Sequence, residues 1–357
     1  MHLPSHPARA QGGFTLAELM IAVTLGLLIL AGMTTLFVNN TKAQGEIEKA
    51  NRQVENGRFA VALLSGDLRN AGFYGEFDPT VLATPAALPD PCLLTLDALK
   101  TALPLHVQGY DNPAAASVGC ITDLRAGTDV LVLRHTRTCV AGESNCDPVS
   151  AGGPFFQASL CSNPSELDSG DPRNFYALDI GTATLDRHRR DCSQVAGSGT
   201  LAPIRAYTTH LYFVANNDNP GDGIPTLKRA ELGSSGGVLG MTIVPLVEGI
   251  DNLQIEYGID TNGDGVPDLY AANPNLANGC ATAACAPVNW RNVVAVKLNI
   301  LARNLEATQS YTDNKSYVLG LDGGGSANTV AAAGDHYKRH VFHAVVNLPN
   351  PSGRKVP

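Results

Sequence analysis

An apolar segment near the N-terminus contains one acidic residue, and this combination constrains the chain more than any other feature. Residues 14–38 are apolar or weakly polar apart from Glu18, and the next charged residue is Lys42. A helix of about 20 apolar residues spans a bilayer. A carboxylate inside such a helix is costly and by default marks a functional site. We therefore expect a transmembrane helix in which Glu18 has a function.

Other kinds of N-terminal segment explain this pattern less well. An ordinary secretory signal normally has a shorter apolar core, and Glu18 would fall inside it. A lipoprotein signal requires a cysteine after Leu30-Ala31-Gly32, where Met33 stands. A plain single-pass anchor with a stray glutamate remains open, because length and apolarity suffice to span a bilayer whatever the purpose of the helix.

A Gly-Gly pair stands directly before the apolar segment, and Glu18 is the fifth residue after Gly13. This segment resembles the class III leader of type IV prepilins and pseudopilins. The resemblance implies that a prepilin peptidase removes residues 1–13 and that Phe14 becomes the N-methylated N-terminus. It also implies that Glu18 pairs with the N-terminal amine of a neighbouring subunit, which neutralises two charges in an apolar filament core.

Length and charge bound what the rest of the chain can be. The 357 residues suffice for one large or two small domains, and 44% are hydrophobic, as expected for a folded ectodomain with one membrane segment. The net charge is −8, with the acidic residues spread along the chain. Nucleic-acid binding by bulk charge is therefore not expected.

All eight cysteines lie beyond the apolar segment, which indicates disulfides in an oxidising compartment such as a bacterial periplasm. Neither a Cys-x-x-Cys pair nor a zinc-type alternation with histidine is present. Short gaps favour two local pairs, and simple nesting of the remaining cysteines leaves two longer ones. The expected pairs are Cys139–Cys146 and Cys280–Cys285, then Cys92–Cys120 and Cys161–Cys192.

The helix is predicted to continue well beyond a membrane. No proline occurs between Phe14 and Ala71, and the pattern changes from uniformly apolar to amphipathic near Asn39. Past that point apolar or small residues recur at steps of three and four, at Ile47, Ala50, Val54, Gly57, Val61, Leu64, Leu68 and Ala71. We predict a membrane or filament-core helix over residues 14–38 and an amphipathic continuation over 39–72 that packs on a soluble domain.

Residues 73–357 are predicted to form a β-rich globular domain, which makes the chain α+β. Strand-like runs recur between turn residues without helical patterns, which favours a large antiparallel sheet. These runs are Asp129–Arg134, Thr208–Val214, Leu227–Leu232, Leu239–Val244, Asn252–Tyr257, Val293–Ala302 and Arg339–Leu348. Three stretches are expected to be loops, some tied by disulfides: Val81–Pro104, Cys139–Asp171 and Gly320–Gly334.

Blocks at both ends and in the middle of the chain resemble the PilW family of minor pilins. The blocks are Glu55–Ala60, Asp67–Phe73, Tyr257–Gly265 and Tyr337–Phe342. The resemblance implies a type IV pilin-like fold with the long helix packed on the sheet. It also implies a non-catalytic subunit that helps to prime assembly at the pilus tip.

The implied location and partners follow from the same resemblance. Before assembly the chain lies in the inner membrane with its C-terminal domain in the periplasm, and after assembly it is part of a pilus at the cell surface. The partners are membrane lipid, the prepilin peptidase, the assembly platform, the major pilin, other minor pilins and a large tip adhesin. Two alternatives stay open: a J-type pseudopilin of type II secretion, and a membrane-anchored periplasmic binding or hydrolytic protein.

One loop has the ligand spacing of an EF-hand. Oxygen side chains stand at positions one, three, five and nine, a glycine at six, and a residue whose carbonyl could bind at seven. The candidate calcium ligands are Asp260, Asn262, Asp264, Val266 and Asp268. Position twelve is Ala271 instead of a bidentate glutamate, so a calcium site would be weak or would need another carboxylate. A hairpin turn rich in Asn, Asp and Gly is the alternative.

The run Gly233-Ser234-Ser235-Gly236-Gly237 matches the Gly-x-Ser-x-Gly pattern of a hydrolase nucleophile. That pattern requires a strand before it and a helix after it. Residues 238–244 look like another strand, so a hairpin loop is predicted here.

Overall fold

The computed structural model describes residues 12–149, 152–161, 163, 166, 172–193, 195, 197–282 and 284–355. Of the predicted leader, residues 1–11 lie outside the described residues. The chain divides into two compact units, Met1–Asn51 and Arg52–Pro357. Helix α1 (Leu16–Leu68) contributes to both.

Helix α1 ends four residues earlier than the pattern predicts. The amides of Asn70 and Ala71 donate to the carbonyls of Asp67 and Leu68, three residues back, so the last turn tightens. Gly72 then has φ +74°, a conformation that favours glycine, and the chain leaves the helix there.

The part of α1 that belongs to the second unit buries one face. The buried residues recur at steps of three and four, as a helical period requires. They are Gln53, Gly57, Ala60, Leu64 and Leu68. Of the predicted face, Val54 and Val61 are half-buried, and Val61 packs against the core, whereas Ile47 and Ala50 are exposed. Gln53 is buried because its amide donates to the Ala302 and Lys338 carbonyls at 2.7 and 2.9 Å.

All seven predicted strands are present, with bounds that differ by a few residues. They are Val130–Thr136 (β2), Ile204–Ala215 (β5), Thr226–Ser235 (β6), Val238–Glu248 (β7), Ile250–Ile259 (β8), Val293–Arg303 (β10) and Arg339–Asn347 (β13). The described residues also form short strands that the sequence did not predict. These are Val107–Tyr110 (β1), Phe155–Ala158 (β3), Tyr176–Asp179 (β4), Leu269–Ala271 (β9), Tyr317–Leu321 (β11) and Ala327–Val330 (β12).

The three stretches predicted as loops therefore contain regular structure. Val81–Pro104 includes helix α2 (Leu96–Ala102), which Thr95 caps by accepting from the Ala98 amide. The other two contain β3 and β12, four residues each, which is too short for a period to be legible. Two further short helices are Ala286–Arg291 (α3) and Pro349–Gly353 (α4).

The strands pair antiparallel and divide into sheets of seven, four and two strands. Long strand β5 is central to the largest sheet: β2 lies on one side, and on the other its first residues pair with β3 and its later residues with β6. The four-stranded sheet has the order β13-β10-β8-β9. The main apolar core combines residues of α1 after Arg52 with residues of both sheets.

Strands β6 and β7 form the hairpin that was predicted at the serine motif. Gly236 and Gly237 have φ +59° and +80°, the pair of positive angles that a two-residue type I′ turn requires. A strand follows the serine instead of a helix, so the geometry of a nucleophile elbow is absent from this part of the described chain.

Four disulfides join the same cysteines as the expected pairs. Their Cα–Cα distances are 5.3–5.7 Å. Each closes a loop of 5 to 31 residues outside the long strands, so the bridges tie the connecting segments.

Candidate functional site

The N-terminus of α1 is closed by two residues that bond each other. Thr15 Oγ1 accepts from the Glu18 amide at 3.3 Å, while Glu18 Oε2 accepts from the Thr15 amide and hydroxyl at 2.9 and 2.8 Å. This Thr-x-x-Glu arrangement is a capping box. It was missed in the sequence although its signature is legible there. Glu18 therefore has a local partner in addition to the intersubunit role that the prepilin resemblance implies.

The apolar side chains that follow are uncovered. From Phe14 to Val38 every large apolar residue has between 40 and 91% of its surface exposed. Within the described residues, α1 is the one helix whose length and composition would allow it to cross a membrane. An uncovered apolar surface of this length needs lipid or other helices around it.

The hydroxyl groups in this stretch are already satisfied. The threonines at 24, 34 and 35 each donate to the carbonyl four residues back, at 2.7–2.9 Å. A hydroxyl bonded within its own helix does not need water. These residues are thus compatible with an apolar environment, and Glu18 is the one ionisable side chain in residues 14–38.

The EF-hand-like loop is closed by its own backbone. Asp260 Oδ1 accepts from the amides of Asn262 and Gly263 at 3.1 and 2.6 Å, and Oδ2 accepts from Gly265 at 2.9 Å. The ammonium of Lys355 lies 3.1 Å from the same Oδ2. Burial raises the pKa of Asp260, but these donors outweigh it and hold the pKa below its ordinary value.

The other two carboxylates of this loop also bond within it. Asp264 Oδ1 accepts from the Val266 amide at 2.8 Å, and Asp268 Oδ2 accepts from the amide and hydroxyl of Thr261, both at 2.7 Å. The turn is therefore complete on hydrogen bonds and one ion pair. Calcium binding here stays a prediction.

A second group of polar residues meets where α1 ends on the largest sheet. His135 Nε2 lies 2.9 Å from Asp67 Oδ1, and His210 Nδ1 lies 2.6 Å from Asp67 Oδ2. Tyr212 donates to the same Oδ2 at 2.8 Å, and Glu231 is the direct cross-strand neighbour of His210. Burial raises the pKa of Asp67, but the hydrogen bonds from both histidines outweigh it and hold the pKa well below its usual range.

No sequence signal identified this cluster. His210 and Tyr212 share a face of β5 because side chains alternate along a strand. His135 stands on the neighbouring strand β2, where it faces Thr208 across the ladder. Asp67 is 68 residues from His135 and 143 from His210, so only the pairing of these elements brings the group together.

Two parts of the chain match models of known protein families. The model of the Type IV Pilus-assembly protein W family matches residues 211–350, and the prokaryotic N-terminal methylation motif matches residues 8–34. A type IV-like pilin from Thermus thermophilus is 12% identical, with a TM-score of 0.32, over 85% of this chain and 96% of that one. A search among curated proteins found no match.

The methylation motif lies over Gly13, Phe14 and Glu18, and it runs directly into the uncovered apolar helix. A prepilin-type N-terminus, a long helix and an antiparallel β domain define the class of type IV pilins. The PilW family model covers the end of β5 and strands β6 to β13. Residues 211–350 are similar to the PilW family within that class.

Proposed function

We propose that this chain is a minor pilin with a structural role in priming assembly of a type IV pilus and forming its tip complex. The observation that carries the proposal is the prepilin motif in front of an apolar helix whose side chains have no cover. Such a helix is stable in a bilayer or among the helices of a filament. The PilW match favours a pilus over the pseudopilus of type II secretion.

Processing and orientation are part of the proposal. The prepilin peptidase cuts after Gly13, Phe14 is methylated, and the domain from residue 73 onward lies in the periplasm until the assembly platform moves the subunit into a pilus. Mass spectrometry of the mature N-terminus tests this step. A methylated Phe14 is the expected start, and any other start would contradict the proposal.

The partners proposed are the major pilin, other minor pilins and a large tip adhesin. Catalysis has no place in the proposal, because the family consists of assembly proteins and the serine motif forms a hairpin turn. The large β domain favours the tip, where its bulk obstructs no subunit above it. Labelled-antibody imaging should show the protein at pilus ends, and even labelling along the shaft would refute the tip position.

Glu18 is proposed to pair with the N-terminal amine of a neighbouring subunit. The capping box makes the Glu18→Val substitution hard to interpret, because this change removes both the charge and the cap. Glu18→Gln separates the two roles, since glutamine also completes a capping box but carries no charge. Thr15→Val is the matched control, because it removes the hydroxyl that caps the Glu18 amide and keeps the carboxylate.

The expected result is that pilus assembly fails in Glu18→Val and Glu18→Gln and persists in Thr15→Val. Pilus yield in a strain that depends on this subunit is the measurement, with membrane levels of each variant checked by immunoblot. If Glu18→Gln assembles normally while Thr15→Val fails, Glu18 acts as a cap only. If both assemble normally, assembly requires neither the charge nor the cap, and the proposed pairing of Glu18 is wrong.

A further inference from the structure

Asp67, His135 and His210 place three metal-type donor atoms in one small volume. These atoms all lie within 4.8 Å of one another, and both histidine nitrogens contact Asp67 at 2.6–2.9 Å. Tetrahedral zinc with bonds of about 2.0–2.1 Å holds its donor atoms about 3.3 Å apart. An outward movement of a few tenths of an ångström would therefore make room for an ion.

His135 has hydrogen-bond acceptors on both of its ring nitrogens. Nδ1 lies 3.0 Å from the carbonyl of Thr136 and 3.2 Å from the hydroxyl of Thr208. Nε2 faces Asp67 Oδ1. In the neutral tautomer with the proton on Nδ1, Nε2 turns a lone pair towards a carboxylate oxygen. The contact is favourable only if a second proton or a metal cation lies between the two atoms.

His210, on the neighbouring strand β5, has a carboxylate oxygen facing each of its ring nitrogens. Nδ1 faces Asp67 Oδ2, and Nε2 faces Glu231 Oε1 at 3.6 Å as a buried nitrogen without a hydrogen-bond partner among the described residues. A cation placed between the rings and Asp67 would make both contacts favourable. The ring centroids are only 5.5 Å apart, so two imidazolium ions would repel each other in a buried site.

We propose that Asp67, His135 and His210 bind one divalent transition-metal ion, zinc being the best match. Its two charges take the place of the two protons that would otherwise lie between the imidazoles and Asp67. Two imidazoles and a carboxylate are a zinc donor set, and no redox chemistry is required of the ion. The proposal is independent of the assembly role.

The surroundings of the cluster fit metal-bound histidines. A ligating histidine almost always donates its other N–H to a carbonyl or a carboxylate, which orients the ring. Here the Thr136 carbonyl lies 3.0 Å from His135 Nδ1, and Glu231 Oε1 lies 3.6 Å from His210 Nε2, so that a small shift would bring it within hydrogen-bond distance. Arg229, 2.7 Å from Glu231 Oε2, fixes that carboxylate. The ion would tie the end of α1 to strands β2 and β5 and so stabilise the β domain.

A second group of potential ligands does not compete. Cys161, Glu166 and Cys192 also lie close together, but the two cysteines are joined in a disulfide. A disulfide sulfur is not a thiolate, which is the form that binds zinc.

The test uses the full mature chain in detergent micelles, stripped of metal with a chelator and then equilibrated with micromolar zinc. Elemental analysis should find one bound zinc ion per chain, and the melting temperature should rise with zinc. His135→Gln and His210→Gln should lose the bound ion, since the glutamine amide still donates to Asp67 but binds zinc poorly. His340→Gln, at an exposed site outside the cluster, is the matched control and should keep it.

Glu231→Gln should weaken zinc affinity by about 10–100-fold without abolishing binding, as expected for an outer-shell partner. Cobalt(II) in the wild-type chain provides a readout that needs no variant, because strong visible d–d bands indicate a tetrahedral site. The proposal would be overturned if the wild-type chain bound no zinc, or if its cobalt spectrum were octahedral. It would also be overturned if His135→Gln and His210→Gln bound zinc as well as the wild type does. The cluster would then be a hydrogen-bonded structural group around Asp67.

Discussion

A Cβ atom at position 57 would lie 2.1 Å from Cε2 of Phe342, because the backbone of α1 at Gly57 runs directly against that ring. Phe342 stands on β13, so this contact sets how closely the helix after Arg52 approaches the four-stranded sheet. Only a residue without a side chain permits the approach. The helical period places Gly57 in the buried face but does not indicate that glycine is required there.

We predict that Gly57→Ala lowers the free energy of unfolding by about 1–3 kcal/mol, the usual cost of overpacking a core. Gly66→Ala, in the same helix, is the matched control because nothing lies within 4 Å of its Cβ. It should raise stability by about 0.5–1 kcal/mol through helix propensity alone. Denaturation in detergent micelles is the measurement, and equal effects of the two changes would contradict the packing argument.

Replacing Phe342 tests the same contact from the other side. Phe342→Leu should offset part of the loss in Gly57→Ala, so that the double variant is more stable than the sum of the single effects predicts. Strict additivity would show that the two positions do not interact.

Arg339 should be among the most sensitive charged residues. Its side chain is 4% exposed and contacts Asp251, Asp313 and Asp335 at 2.6–2.8 Å. Arg339→Met would leave the buried carboxylates of Asp251 and Asp313 without this cation, and we expect a loss of about 3–5 kcal/mol.

Arg52→Met is the control for this loss. Arg52 pairs with Glu306 at 3.3 Å, but the two side chains are 51 and 59% exposed. An exposed pair contributes under about 1 kcal/mol because solvent screens it. Chemical denaturation of both variants gives the comparison, and a similar loss in each would mean that burial is not what makes Arg339 important.

His106 should make stability depend on pH. Burial lowers the pKa of its imidazole to about 4, with Arg354, Lys355 and Arg134 adding to the effect and the hydrogen bond with the Val293 carbonyl opposing it. In the unfolded chain the pKa is near 6.5. Between these values the unfolded state binds more protons, so stability falls as the pH drops from about 6.5 to about 4, by up to about 1.4 kcal/mol per pH unit.

His106→Gln isolates this contribution, because its amide can donate to the Val293 carbonyl without titrating. The difference in unfolding free energy between wild type and variant should change across this pH window and be constant above it. A constant difference from pH 4 to pH 8 would show that His106 titrates alike in both states.

Calcium should bind the Asp260–Asp268 loop only weakly, with a dissociation constant of about 10⁻⁴–10⁻³ M. Ala271 supplies no twelfth-position carboxylate, and Lys355 already pairs with Asp260. The melting temperature in millimolar calcium against EGTA is the measurement, and Asp268→Asn should abolish any shift. Tight binding would mean that the loop rearranges and releases Lys355.

The features that could be predicted from the chain alone are those with a local physical cause. The long apolar helix follows from an unbroken apolar run, and the seven long strands follow from residue type and flanking turns. The two short disulfides follow from spacing, since cysteines a few residues apart meet readily. The capping box of Thr15 and Glu18 belongs to this group, although it was overlooked.

Pairing between distant segments decided the rest. Four-residue strands such as β3 have no legible period, and they exist because β5 offers them a partner edge. Gly57 must be glycine only because β13 brings Phe342 against α1. Asp67, His135 and His210 form a cluster only because β2 and β5 pair beneath the end of the helix. Contacts of this kind depend on which surfaces meet in space, and residue order along the chain does not encode that locally.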